Sequence, residues 1–460
     1  MLTFLNGAMI ITTQRYLSFY LGAGDTTVLN KIFNTSVFIH FIISVFIVVV
    51  LELLSLFLFD GFLNIPSSKN VDASWCFHLM VASTFFTINA VPYDSLINAK
   101  EDMLFDSING LVETFLKFLA ACSISYFSNN RLIVYSLLIV GITILVRISK
   151  SVWCKIKYKE SGVSVVFLKE RFLFKEMLSY ASWNLFGSLC YVASSQGIAV
   201  VLNRFLGVGI NGTYAIAQQM NSQLQSFSVI IGKALNPQIV KSEGAKDRNR
   251  MIKLALLSSK SSAILLLFII IPLIAEINGI LNIWLKTVPP QTAAFCTIIL
   301  INALVNQMST GLKASVQATG QVKLYQSVVG TTIMLIVPLA YILLSMGYSA
   351  FHILICMTMI ELFSLVLRVI ICNKKVGISY GLFLNEVFFR VVLVAIPPIV
   401  SIYLFTQNIL FTDYRILYTA FINGIVLIVS IMVFGLKKEE RDFMMSMLKG
   451  NRLKKIKVSI

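Results

Sequence analysis

Long apolar runs of about twenty residues dominate the chain, the length an α-helix needs to cross the roughly 30 Å hydrocarbon core of a bilayer. Thirteen such segments can be drawn, at 1–21, 32–57, 73–97, 104–127, 131–153, 175–202, 210–234, 254–277, 291–316, 324–346, 349–372, 386–406 and 415–436. They are too long, and too poor in two-residue alternation, to be transmembrane strands. Of the 460 residues 57% are hydrophobic and only 13% charged, against roughly a quarter charged in soluble domains. The expected fold class is therefore an all-α integral membrane protein.

The formal charge of +17 does not point to nucleic acid, because of where the cations lie. Alternate connections and the C-terminal tail hold 25 of the 38 Lys and Arg, including Lys155, Lys157, Lys159, the run Lys241 to Lys253, and Lys437 to Lys457. The other connections hold five (Lys69, Arg131, Arg204, Lys286, Arg415), and eight lie inside spans. Such asymmetry places the basic loops and the C-terminus in the cytoplasm. The seven cysteines are scattered without a C-x-x-C, mostly within apolar segments (Cys122, Cys190, Cys356), and read as small packing residues. No basic stretch precedes the first apolar segment, so no cleavable signal peptide is read.

The chain repeats itself. Gly22, Ala23, Asp25, Lys31 and Ser36 recur as Gly244, Ala245, Asp247, Lys253 and Ser258, an offset of 222. Leu104, Ser107 and Gly110 recur as Leu324, Ser327 and Gly330, at 220. Spans 32–57, 73–97, 104–127 and 131–153 map onto 254–277, 291–316, 324–346 and 349–372. Both copies run the same way, so the repeats are parallel, and transporters built like this bind substrate between their halves. Span 175–202 has no counterpart in the first copy and span 210–234 only a partial one. The expected organisation is two parallel six-helix repeats, the first lacking its opening helix, plus two C-terminal helices. Its parts are an N-terminal lobe (1–154), a cytoplasmic loop (155–174), a C-terminal lobe (175–373), two extra helices (374–436) and a basic cytoplasmic tail (437–460).

Charge inside a membrane is costly and faces a bundle interior or a water-filled cavity. Arg147, Lys233, Lys260 and Arg368 lie close enough to the cytoplasmic side to snorkel, and Glu386 and Arg390 form an i,i+4 pair there. Lys117, one turn after Glu113, is either half of a self-neutralising pair or a functional cation. Arg15 sits among Thr12, Thr13, Gln14 and Ser18. Asn302, Asn306, Ser309, Lys313 and Gln317 are spaced to share one helical face. Gln218, Asn221, Ser222 and Gln225 form another polar face, and Asn184, Ser188, Ser195 and Gln196 a third. Such faces line a cavity or make helix–helix hydrogen bonds; amides and hydroxyls suit a substrate rich in hydroxyl groups. Glu52, Asp94, Asp106, Glu113, Glu276 and Glu361 are candidates for a coupling proton or sodium ion, and Asp94 lies near the repeat position of Lys313. The three histidines fall on three different spans, and no metal spacing, phosphate-binding loop or nucleophile elbow is present. No enzyme activity, cofactor or metal is expected.

The stretch FLNGAMIITTQRYLSFYLGAGD (4–25) resembles the second helix of polysaccharide flippases in the multidrug/oligosaccharidyl-lipid/polysaccharide (MOP) exporter superfamily. NRFLGVGINGTYAIAQQM (203–220) and ALNPQIVKSEG (234–244) resemble their seventh-to-eighth helix region. The resemblance implies a two-lobe bundle like that of the MATE exporters and transport of undecaprenyl-diphosphate-linked oligosaccharide across a bacterial inner membrane. It implies alternating access, ion-gradient coupling and a place in O-antigen (lipopolysaccharide), capsule or exopolysaccharide assembly. Its partners would be the lipid-linked substrate, membrane lipids, and a polysaccharide polymerase with its chain-length regulator. On that basis Arg15, Lys117 and Lys313 are assigned to the diphosphate, Gln218, Asn221, Gln225, Asn302 and Asn306 to the sugars, and Asp94 and Glu113 to ion coupling. The competing expectations are a multidrug exporter of the same superfamily, a membrane-embedded polymerase or acyltransferase, and an inactive remnant of a flippase gene.

Overall fold

The structure is a computed structural model and describes residues 3–59, 69–127, 130–163, 171–408, 413–437 and 441. The described residues form helices and turns, with no strand among them. The basic tail lies outside the described residues except for Lys437 and Arg441, as do residues 60–68 of the expected outer loop.

The chain divides into two units, 1–185 with 243–246, and 186–242 with 247–460. The first contains α1 (Thr3–Ala23), α2 (Thr26–Phe57), α3 (Asn70–Asn89), α4 (Val91–Ala99), α5 (Met103–Ser123) and α6 (Arg131–Lys157). The long α7 (Arg171–Gly244) begins there and continues into the second unit. The second unit adds α8 (Arg248–Ala275), α9 (Ile277–Trp284), α10 (Thr292–Gln307), α11 (Thr310–Thr319), α12 (Val322–Met334), α13 (Ile336–Ser345) and α14 (Ala350–Val376). It ends with α15 (Tyr380–Phe383), α16 (Phe389–Asn408) and α17 (Asp413–Ser430).

Among the described residues, eleven helical stretches are long and apolar enough to cross a membrane. Two features reconcile this number with the thirteen expected. One stretch, Phe172–Phe227, spans two expected segments, and Gly207 interrupts it with non-helical backbone (φ 78°, ψ −178°). The other is α1, 21 residues long, whose Thr12, Thr13, Gln14, Arg15 and Ser18 lower its apolar character.

The sequence repeat is visible in the backbone. Asp25 caps α2 by accepting from the Thr27 amide, and Asp247 caps α8 by accepting from the Arg250 amide. Each follows a residue in left-handed backbone, Gly24 (φ 75°) and Lys246 (φ 61°). Each unit also has a broken span at matching positions: α3 and α4 part at Ala90, α10 and α11 at Met308–Ser309, and in the second unit α12 and α13 also part at Leu335. Pro92, at the start of α4, supplies one reason for the first break.

Lipid gives apolar helices no hydrophobic reason to associate, so close packing and hydrogen bonds hold the bundle. At Gly244 a Cβ would fall on the carbonyl oxygen of Phe19 in α1, and at Gly311 on that of Ala255 in α8. The Gly311 amide also donates to Ser259 Oγ at 3.0 Å. In the second unit, Phe295, Cys296, Ile299, Leu281, Ile198 and Tyr214 belong to one buried core. Helix α17 attaches to α8 and its C-cap through polar contacts: Asn423 donates to the Phe268 carbonyl (2.8 Å), and Arg415 and Thr419 to Glu276 (2.8 and 2.9 Å).

Candidate functional site

The second unit encloses a cavity beside α7, α10 and α14, with about 80 Å³ accessible to the centres of water molecules. A single water needs roughly 10–15 Å³ on that measure, so the space holds several. Its lining includes all five amides expected to meet sugars: Gln218, Asn221, Gln225, Asn302 and Asn306. Tyr191, Ser194, Ser195, Tyr214 and Glu361 add polar groups, and the apolar remainder is Ala303, Met357 and five isoleucines from Ile198 to Ile360.

Helical spacing brings these groups together. On α7, Gln218 donates to Tyr214 Oη one turn earlier (2.7 Å), Asn221 to Gln218 Oε1 (3.3 Å), and Gln225 to Asn221 Oδ1 (3.4 Å). Gln225 Nε2 also reaches Tyr191 Oη at 3.1 Å, joining the stretches of α7 on either side of Gly207. Across the cavity, Asn306 Nδ2 donates to Glu361 Oε1 at 2.8 Å. Arg368 pairs with the same carboxylate at 3.0 Å and donates to Ser309 Oγ. Asn302 stands apart: its Nδ2 and Oδ1 are both buried and neither has a hydrogen-bond partner among the described residues.

The polar stripe read across Asn302 to Gln317 does not stay on one surface. The break at Met308–Ser309 divides it. Asn302 and Asn306 line the cavity, Ser309 is buried against Arg368, Lys313 is exposed, and Gln317 is buried. Lys313 has no ion-pair partner among the described residues.

The other expected site residues lie in the first unit. Arg15 is buried, with its guanidinium carbon 4.6 Å, 5.0 Å and 5.6 Å from the ring centres of Tyr16, Phe19 and Tyr180. The Tyr16 hydroxyl donates to Glu176 at 3.1 Å. Lys117 pairs with Glu113 at 2.6 Å on α5. Asp94 sits between two cations of α6, Lys150 at 2.6 Å and Arg147 at 3.6 Å, and Lys150 also reaches Asp106 at 3.0 Å.

Several participants were not singled out in the sequence. Lys150 lies at the end of an apolar segment, and Arg147 and Arg368 read from the sequence as snorkelling residues. Glu361 and Arg368 are seven residues apart, two turns of one helix, and that spacing was their available signal. Tyr191 and Tyr214 were hidden among apolar neighbours. No group of three or more His, Cys, Asp or Glu able to hold a metal occurs among the described residues.

Helical bundle and broken spans define an all-α membrane fold, and solved structures superpose on it. A MOP-superfamily transporter from Pyrococcus furiosus Vc1 (DSM3638), whose report describes a binding pocket of reverse polarity and suggests a different function, superposes with a TM-score of 0.72. The match covers 82% of this chain and 85% of that one at 11% identity. An outward-facing multidrug resistance MATE family transporter of the MOP superfamily gives 0.70 over 81% and 84% at 12% identity. A MATE in the bent conformation gives 0.73 over 81% and 84% at 10% identity. No curated protein matches the sequence.

This chain thus has the all-α membrane fold of the MOP-superfamily transporters. Its residues 27–243, just under half of the chain, match the model described as polysaccharide biosynthesis protein.

Proposed function

We propose that the chain moves undecaprenyl-diphosphate-linked oligosaccharide repeat units across the bacterial inner membrane by alternating access, for O-antigen, capsule or exopolysaccharide assembly. The observation that carries this reading is the amide- and hydroxyl-rich cavity of the second unit, with the unpartnered amide of Asn302 in its wall. A sugar presents alternating donors and acceptors, and amides offer both on one side chain. Gln218, Asn221, Gln225, Asn302 and Asn306 take the sugars. Arg15 and Lys117, in the first unit, and Lys313, in the second, are each separate candidates to meet the diphosphate, Lys313 being exposed and without an ion-pair partner among the described residues. Asp94 and Glu113 serve ion coupling: each already holds a cation, Lys150 and Lys117 respectively, and a coupling ion would compete for those contacts. The C-terminus lies in the cytoplasm on the evidence of the basic loops, and the partners are a polymerase and its chain-length regulator.

Complementation of a flippase-null bacterium tests the reading, with surface polysaccharide read on a gel. Restoration by the chain, and its loss with Lys313→Glu at equal protein level, is the expected outcome. Undiminished polysaccharide with that variant removes Lys313 from the diphosphate site. A multidrug exporter is the second reading, favoured by one observation: Glu361, Tyr191 and Tyr214 share the cavity, and a carboxylate with aromatic rings suits organic cations. Drug-resistance profiling of the same strains separates the two.

A further inference from the structure

The charges around the second unit's cavity bear on which sugars enter it. The lining holds one carboxylate, Glu361, and no Lys or Arg. Arg368 pairs with Glu361 at 3.0 Å and is itself only 4% exposed. Both Arg368 and Asn306 bind Oε1. Oε2 has no hydrogen bond or ion pair with any described residue, and it is not among the fully buried atoms. The pair is therefore neutral overall, with its cation buried, its carboxylate in the cavity lining and one carboxylate oxygen unpaired among the described residues.

We propose that Glu361 makes this cavity select uncharged, hydroxyl- and acetamido-bearing sugars and reject carboxylated ones. The inference rests on the reading of the cavity as a sugar site. A hydroxyl or amide N–H donates to Oε2 in a charge-assisted hydrogen bond. A sugar carboxylate at the same place faces Oε2 across a partly apolar wall, where like charges repel more strongly than in water. No cation in the lining compensates it. Rejection by an unmatched charge is an efficient source of specificity, because it weakens the wrong substrate without burdening the right one.

The arrangement predicts a change of sign. Glu361→Gln keeps the side chain's length and leaves Arg368 with Ser309 as its hydrogen-bond acceptor, so the wall becomes cationic. The paired variant Glu361→Gln with Arg368→Met removes both charges and guards against misfolding around an isolated buried guanidinium.

The test uses two flippase-null tester strains whose lipid-linked repeat units differ at one sugar, an N-acetylhexosamine in one and a hexuronic acid in the other. Wild type is expected to export the uncharged unit about tenfold or more better at equal protein level. Glu361→Gln is expected to narrow or invert that ratio, and the double variant to bring it near one. Equal export of both units by wild type, or a ratio unmoved in both variants, overturns the proposal. Export of neither unit counts against the polysaccharide reading itself. The selector is then judged on purified protein by calorimetric titration with diacetylchitobiose and with digalacturonate. Binding of the first alone upholds it, while equal binding, binding of the acid alone, or no binding of either sinks it.

Discussion

Asn302 is a buried amide kept at some cost to the fold. A buried polar group without a partner destabilises by about 1–3 kcal/mol, and both polar atoms of this side chain are in that condition among the described residues. Asn302→Leu, close in volume, should raise stability by about 1 kcal/mol while lowering polysaccharide export. Thermal unfolding in detergent beside complementation reads both effects; lower stability with intact export would assign Asn302 to packing. Asp102 shows the opposite case, a carboxylate fully used. Trp153, Lys157 and Tyr158 donate to its Oδ2 at 2.9, 2.7 and 2.7 Å. Burial alone would raise its pKa, but these donors, led by Lys157, outweigh it and hold the group at about 2. A pKa depressed by folding adds stability that is present above the unfolded value, about 3.9, and is lost as pH falls through the folded one. Asp102→Asn should therefore destabilise at neutral pH, with the difference from wild type closing between about pH 4 and pH 2, as followed by thermal unfolding across that range.

Helices in this chain meet where one gives up its side chain. Gly311→Ala would drive a methyl group into the Ala255 carbonyl, and a backbone atom cannot rotate away. A loss of about 1–3 kcal/mol or more is expected, measured as a lower unfolding midpoint in detergent. The attachment of α17 to α8 depends instead on Glu276, 2% exposed and held by Arg415 and Thr419. Removing one partner of a buried pair typically costs about 3–5 kcal/mol, whereas removing both is far milder. Arg415→Met should thus destabilise strongly, and adding Glu276→Gln should restore much of the loss; a double-mutant cycle on unfolding midpoints checks this. The helix breaks at Ala90 and Met308 were not legible in the sequence. Only Pro92 signals the first, and no Gly or Pro stands between Thr292 and Thr310 to mark the second. For the same reason the stripe from Asn302 to Gln317 was read as one continuous face.

Across the whole molecule, membrane-spanning order was the most legible property, because an apolar run of twenty residues has few other uses. The five cavity amides were legible because polar residues at helical spacing inside such a run need an explanation. Glu361 with Arg368, and Asp94 with Lys150, were not, because their meaning lies in pairs that only the folded chain brings together. Sidedness follows from the distribution of Lys and Arg and is open to direct measurement. Green fluorescent protein fused to the C-terminus should fluoresce, and alkaline phosphatase at the same point should be inactive; the reverse result would invert the orientation.

The cap that opens α2 also opens α8. Glycine adopts left-handed backbone freely, whereas a lysine there is uncommon, yet Lys246 holds the conformation of Gly24 before the same aspartate. Nothing in the local chemistry of the second helix calls for that geometry with a lysine in place. The residue before the aspartate can therefore change while the turn persists: what both copies share is the aspartate's grip on the first turn of the helix that follows, not glycine's freedom.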